Sequence, residues 1–280
     1  MLGVIFLSWR LCVAFFQSAY ELPEHFSEMP ELKTADELLV EPLVALESRP
    51  ARAWPPTKKI AIFSTQRSGS THFCSLLASS NEFGEPREWL NQRALDLYLE
   101  KRNIEHLHFP DFMRDVLFKT TTPNGVFSIN VQMNQYIHWK ERGFDLLSIG
   151  FDKVLYLKRR DRIAQAFSFT KAIATDQWMS HQAPKRHVPP DAITNSLILH
   201  SLYAFSTWEE YYNAYVSRHV SKVYFYEDIV ENPGIVQSVF RECGLSCAEP
   251  ERLRSSIRVQ HTDEDDHRIR EFRKYLLGVE

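Results

Sequence analysis

At 280 residues the chain can hold one domain of about 200–250 residues plus an appendage. Apolar residues make up 44% and charged residues 25%, the balance of an ordinary globular protein. The net charge of −3 excludes the basic excess of a general nucleic-acid binder. A local basic pocket for a small anion stays compatible with that balance.

The first sixteen residues, MLGVIFLSWRLCVAFF, are apolar except for Ser8 and Arg10. A spanning helix needs about 18–20 apolar residues, and a signal peptide carries its charge ahead of the apolar run. Arg10 instead falls in the middle. A weak membrane anchor, a poorly formed signal and a packed terminal helix all stay open, and with them a cytoplasmic or a membrane-associated location. Residues 21–57 carry seven glutamates, one aspartate and six prolines. They read as an acidic leader with an amphipathic patch at Leu38–Leu46, closed by a proline-rich hinge. The chain divides accordingly into a leader, 1–57, and a domain, 58–280.

From residue 58 the pattern changes. KIAIFS (59–64), GVFSINVQM (125–133), KVLYLK (153–158) and KVYFYE (222–227) are short β-rich runs. The first, third and fourth are nearly continuous apolar or aromatic stretches, as expected of strands covered on both faces. Helical patterns fill 70–80, 90–101, 160–178 and 193–217, and an amphipathic tail helix spans 262–277. Strands alternating with helices predict an α/β fold with a parallel sheet flanked by helices. Stretch 93–121 reads as an acceptor-side loop. Stretch 179–192, with His181, Lys185, Arg186 and His187 as polar donors, reads as a lid or acceptor-side loop or equally as a plain surface crossover. Cys12, Cys74, Cys243 and Cys247 include no CxxC pair, so neither a disulfide framework nor a zinc site is indicated. Cys243 and Cys247 read as packing residues, with a disulfide between them as the minor alternative.

The most informative stretch is IAIFSTQRSGSTHFCSLL (60–77), where a buried strand ends in hydroxyls, one glycine and one arginine before a helical pattern begins. A helix N-terminus after a strand offers unpaired N–H groups and about half a positive charge to an anion. Gly69 lets the backbone approach, Ser68, Ser70 and Thr71 add hydroxyl donors, and Arg67 adds a planar cation suited to phosphate or sulfate. Against the GxxxxGK[ST] loop of nucleotide triphosphatases, Ser64 stands at the first glycine and Ser70 at the lysine. That weakens a phosphotransferase reading. A capped helix with a surface arginine is the plainer alternative.

TQRSGSTHFCSLLASSNEFGEPREWLNQ (65–92) resembles the opening signature of the bacterial trehalose and lipopolysaccharide-type carbohydrate sulfotransferases. The following G-x-P-x-E-aromatic spacing agrees, as do TPNGVFSINVQMNQ (122–135), LYLKRRDRIAQAFSFTKAIATDQW (155–178) and VYFYEDIVENP (223–233). The resemblance covers roughly residues 58–276. It implies a P-loop nucleotide-kinase-like sulfotransferase fold and sulfo transfer from 3′-phosphoadenosine 5′-phosphosulfate (PAPS) to a sugar or glycolipid hydroxyl. It places the 5′-phosphosulfate on residues 65–71 and the 3′-phosphate on Arg160 with Ser168, Arg159 being the competing guanidinium. It maps a general base onto Glu88, ahead of Glu85, with Arg67 as electrostatic stabiliser. It leaves a homodimer open, because related enzymes can be dimers. No metal is expected, since no His/Cys/Asp ligand set clusters in the sequence. One departure stands out: Asn130 occupies a position where the family commonly carries lysine, with Lys171 and Arg159 as candidate substitutes. A nucleotide-binding relative with weakened catalysis is the reading that this departure keeps open.

Overall fold

The computed structural model describes residues 55–179, 182–232, 234–246, 252–257 and 261–279, without the side chains of residues 92 and 93. The apolar segment 1–16, most of the acidic leader, the patch at Leu38–Leu46, Cys12, His181 and Cys247 lie outside the described residues.

Four parallel strands form the sheet: β1 (Lys58–Ser64), β2 (Val126–Gln132), β3 (Lys153–Lys158) and β4 (Lys222–Phe225), in the order β2-β1-β3-β4. Strand periodicity sends alternate residues of β1 to opposite faces. Ala61 and Phe63 join one core with Phe112, Phe127, Ile129, Val131, Tyr136 and Tyr156. Ile60 and Ile62 join the other with Phe73, Leu77, Leu155, Leu157, Val239 and Phe240. Each fully buried phenylalanine contributes about 1.5–3 kcal/mol by leaving water. A third core, built from Phe167, Phe169, Ile198, Phe205 and Phe272, ties the C-terminal helix to the rest.

The helices are α1 (Ser70–Ala78), α2 (Gln92–Arg102), α3 (Phe109–Thr120), α4 (Met133–Glu141), α5 (Arg162–Thr175), α6 (Asn195–Tyr211), α7 (Tyr226–Glu231), α8 (Ile235–Glu242) and α9 (Asp263–Leu277). The expected parallel α/β architecture is present, with β1 at its centre. Several details differ from the sequence reading. Helix α2 falls on the helical pattern expected at 90–101, whereas the rest of the stretch read as a loop, 93–121, contains all of α3. Helix α3 starts at Phe109-Pro110, and its buried Phe109, Phe112, Met113 and Val116 follow helix periodicity. Strand β4 ends at Phe225 because Tyr226 opens a short helix. Helix α6 runs into a π-helical turn at Tyr212–Val216 instead of continuing evenly to 217.

Every residue of β2 is buried although the strand lies at one end of the sheet order. The segment before α2 covers that edge: Arg87 bridges to Ile129, and the Asn130 N–H donates to the Arg87 carbonyl at 3.0 Å. Gly84, at φ +80°, permits the approach, since a Cβ there would sit 2.9 Å from the Ser128 nitrogen. This edge pairing delivers Glu88 to the carboxyl end of the sheet.

Candidate active site

The turn from Thr65 to Thr71 leaves the carboxyl end of β1 between β2 and β3, where the chain order reverses and α/β sheets form ligand crevices. Arg67 adopts φ 60° and Gly69 φ 87°, so the backbone curls into a concavity of the kind that collects N–H groups around an anion. Gly69 caps α1 without a side-chain hydrogen bond, which leaves the first-turn N–H groups without a capping side chain. A Cβ on Gly69 would lie 2.1 Å from the Tyr226 ring. Ser68 is fully buried, and its Oγ has no hydrogen-bond partner among the described residues. Gln165 of α5 ties the turn down from below, donating to Thr65 Oγ1 at 2.9 Å and to the Gln66 carbonyl at 2.7 Å. Thr71 is half-buried at the second position of α1.

The Arg67 guanidinium reaches across to α5 and beyond it. Its Nε donates to Ser168 Oγ at 3.0 Å and its Nη1 to the Trp178 carbonyl at 2.7 Å. Burial and the neighbouring Arg159 bring its pKa down to about 10, partly offset by Glu88 and Tyr226, so it stays a cation at neutral pH. Arg159 leans over the same turn. Its Nη1 donates to the Arg67 carbonyl at 3.4 Å, its guanidinium centre lies 5.6 Å from the Tyr226 ring centroid, and its buried Nε has no partner among the described residues.

Arg160 lies elsewhere. It is 49% exposed and grips Asp228, with Nη2 donating at 2.7 Å, while its backbone N–H donates to Glu227 at 3.0 Å. The structure therefore brings Ser168 to Arg67 and does not bring it to Arg160. Strand alternation supplies the reason. Arg159 continues the Leu157 face, which looks toward α1 and Tyr226, whereas Arg160 lies past the strand end beside α7. Lys171, the other candidate substitute for the missing lysine, is bound to Asp265 of α9 at 2.7 Å. Of the tail arginines, Arg273 donates to Asp161 at 2.6 Å, next to Arg160 at the start of α5.

Glu88 is partly buried within a neutral cage. Gln132 Nε2 donates to its Oε1 at 3.0 Å, Gln135 Nε2 to its Oε2 at 3.0 Å, and Asn130 Nδ2 to Oε1 at a longer 3.4 Å. Gln132 also donates to Ser70 Oγ at 2.9 Å, which links the carboxylate to the first residue of α1. Burial raises the Glu88 pKa above the ordinary glutamate value; the donors Gln132 and Gln135, and the charge of Arg67, oppose that rise. The other carboxylate of the segment, Glu85, pairs loosely with exposed Arg87 at 3.7 Å.

Sequence reasoning missed Gln132, Gln135 and Tyr226 as members of this site. The signal was present: Ser128, Asn130 and Gln132 place polar groups on one face of an otherwise apolar strand, and such groups need partners. Among the described residues no three His, Cys, Asp or Glu side chains gather where a metal would sit, and no helix is long and apolar enough to cross a membrane.

The chain is similar to several known proteins. It is 27% identical over 161 residues to the trehalose 2-sulfotransferase of Mycobacterium tuberculosis (strain ATCC 35801 / TMC 107 / Erdman), across 45% of this chain and 60% of that protein. The chain thus spans 60% of the length of the curated relative it matches. Retinol dehydratase, solved with retinol and PAP, aligns over 81% of this chain and 78% of its own at 15% identity and a TM-score of 0.36. The sulfotransferase domain of the Synechococcus PCC 7002 olefin synthase aligns over 81% and 90% at 16% identity and a TM-score of 0.39. The Stf0 sulphotransferase model matches residues 60–275, and the chain belongs to that family.

Proposed function

We propose that the protein is a PAPS-dependent carbohydrate O-sulfotransferase, with the turn at 65–71 as its donor site and Glu88 as its general base. The observation that carries this reading is the concave turn itself: a helix start without a capping side chain, Arg159 donating to its backbone, and a buried Ser68 Oγ with no hydrogen-bond partner among the described residues. A hydroxyl buried without a partner is costly unless a ligand completes it, and a phosphosulfate offers acceptor oxygens for it. Family membership and the similarity to a trehalose 2-sulfotransferase support a sugar hydroxyl as acceptor.

PAPS, when bound, supplies a sulfuryl group already activated for transfer. The chain's own residues provide the rest. Arg67, Ser68, Gly69, Ser70 and Thr71 hold the phosphosulfate through guanidinium, hydroxyl and backbone donors. Arg159 adds a second cation and stands in for the missing lysine. Arg160 marks the 3′-phosphate end, where it exchanges Asp228 for the ligand, and Ser168 holds the Arg67 guanidinium against α5. Such preorganised donors stabilise charge developing on the leaving oxygen. Glu88 takes the proton of the acceptor hydroxyl, a contribution of about 10²–10⁴ in rate when the geometry is held. Its raised pKa makes it a better base for that proton than an exposed carboxylate.

Incubation with labelled PAPS and a panel of sugars and glycolipids, read by mass, is expected to show one added sulfo group on one acceptor class. Thermal shifts provide the parallel measurement. Stabilisation by adenosine 3′,5′-bisphosphate is expected. Stabilisation only by ATP with magnesium points to the phosphotransferase alternative.

A further inference from the structure

Of the three amides around Glu88, two are locked and one is not. The Gln132 carbonyl oxygen accepts from Ser64 Oγ at 3.1 Å, and the Gln135 carbonyl oxygen accepts from the Gln132 backbone N–H at 3.4 Å. Neither amide can turn over without breaking a second bond. Asn130 differs on both counts. Its donation to Glu88 Oε1 is the longest of the three, and its Oδ1 is buried without a partner among the described residues. A carboxylate only accepts, which fixes the amide nitrogen toward Glu88 and leaves the oxygen as the idle group. An idle buried carbonyl carries a desolvation cost of about 1–3 kcal/mol unless some state of the site uses it.

We propose that Asn130 is a positioning residue that serves both protonation states of Glu88, donating to the carboxylate and, after turning its amide over, accepting from the carboxylic acid. The inference rests on the reading of Glu88 as the base. In the step concerned, the proton leaves the acceptor hydroxyl and its bonding pair stays on the acceptor oxygen. The carboxyl group keeps the proton on Oε1, hydrogen-bonded to Asn130 Oδ1, until it exchanges with solvent. Gln132 and Gln135 hold the carboxyl in place throughout.

The groups facing Glu88 leave room for such control. The charge of Arg67 acts on it from the turn, and the Cys74 thiol of α1 has a pKa raised by burial and, after that, by the charge of Glu88. Arg159 stands behind Arg67, and Glu85 and Arg87 of its own segment pair with each other at 3.7 Å. Strand β2 and helix α4 meet Glu88 with neutral amides alone. A lysine at 130 donates but never accepts, and so serves only the ionised state.

The test is Asn130→Leu in the full chain, with the kcat–pH profile and an infrared difference spectrum of the Glu88 carboxyl band (natural chain minus Glu88→Gln, at low pH). Leucine removes both roles, but the donation to the carboxylate is a long 3.4 Å contact. Loss of the acceptor therefore outweighs loss of the donor and is expected to move the acid limb of kcat to lower pH and the acid C=O band to higher frequency. Binding of adenosine 3′,5′-bisphosphate is expected to stay within about twofold. An acid limb displaced to higher pH marks Asn130 as a donor only and overturns the proposal, as does an unmoved limb with an unmoved band. If the leucine variant fails to fold, Asn130→Ser, whose side chain falls short of Glu88, carries the same readouts. Asn130→Lys is expected to move the limb down by about 1–3 units, the size of a nearby opposite charge. Full activity in Glu88→Gln removes the base reading itself. An inactive Glu88→Gln with an unmoved Asn130→Leu removes only the role of Asn130.

Discussion

Glu88 and Asn130 sit 3.4 Å apart, yet their positions in the chain are 42 residues from one another. The proposed base is open to a direct prediction. Glu88→Gln preserves shape and hydrogen-bonding capacity on one side while removing the proton acceptor. Turnover should fall by about 10²–10⁴ with adenosine 3′,5′-bisphosphate affinity nearly intact, measured by single-turnover kinetics and calorimetry. In the natural chain the rate should rise with pH through a value above the ordinary glutamate pKa of 4.5, because burial raises the group and only its ionised form accepts a proton. An acid limb at or below that value argues against Glu88. Arg67, Ser68, Gly69, Ser70 and Thr71 were readable as a unit because one local turn holds them. Which of Arg159 and Arg160 leans over that turn was not readable, since it depends on which face of β3 meets the turn.

Among the elements, the junction of β3 and α5 sends its cations to different neighbours, and the proposed duties divide with them. Arg159 bends over the β1 turn, and Arg160 rests on α7 through Asp228 and Glu227. Arg159→Met should weaken adenosine 3′,5′-bisphosphate and adenosine 5′-monophosphate together, because both carry the 5′-phosphate. Arg160→Met should weaken the bisphosphate alone and erase its advantage over the monophosphate. Calorimetry with the two nucleotides separates these outcomes, and equal losses in both variants would remove the division. The segment ending at Glu88 belongs here as well. Its G-x-P-x-E spacing was legible, but its pairing along the edge of β2 was not, because edge pairing is a contact between distant parts of the chain. The same limit concealed Gln132 and Gln135, whose purpose appears only when Glu88 is laid against them.

Taken together, the sheet, its two cores and the C-terminal helix form the frame that keeps the turn in place. Lys171 of α5 donates to both oxygens of Asp265 at 2.7 and 2.8 Å, and Asp265 is only 2% exposed at the start of α9. Lys171→Met should lower stability toward the lower end of the ~3–5 kcal/mol expected for stranding a buried charge, since the lysine side chain retains 25% exposure. Chemical denaturation checks this, and Lys171→Met with Asp265→Asn should recover part of the loss. The α/β class, the four strands and the glycine-bearing turn after β1 were written in the chain as local patterns: apolar runs of strand length, helix periodicity, and hydroxyls with glycine at a strand end. Strand order, the edge pairing that delivers Glu88, the amide cage and the side to which each guanidinium points came only with the folded chain. Short-range chemistry selects which element forms, whereas long-range packing selects which side chains meet, and catalysis depends on the meeting.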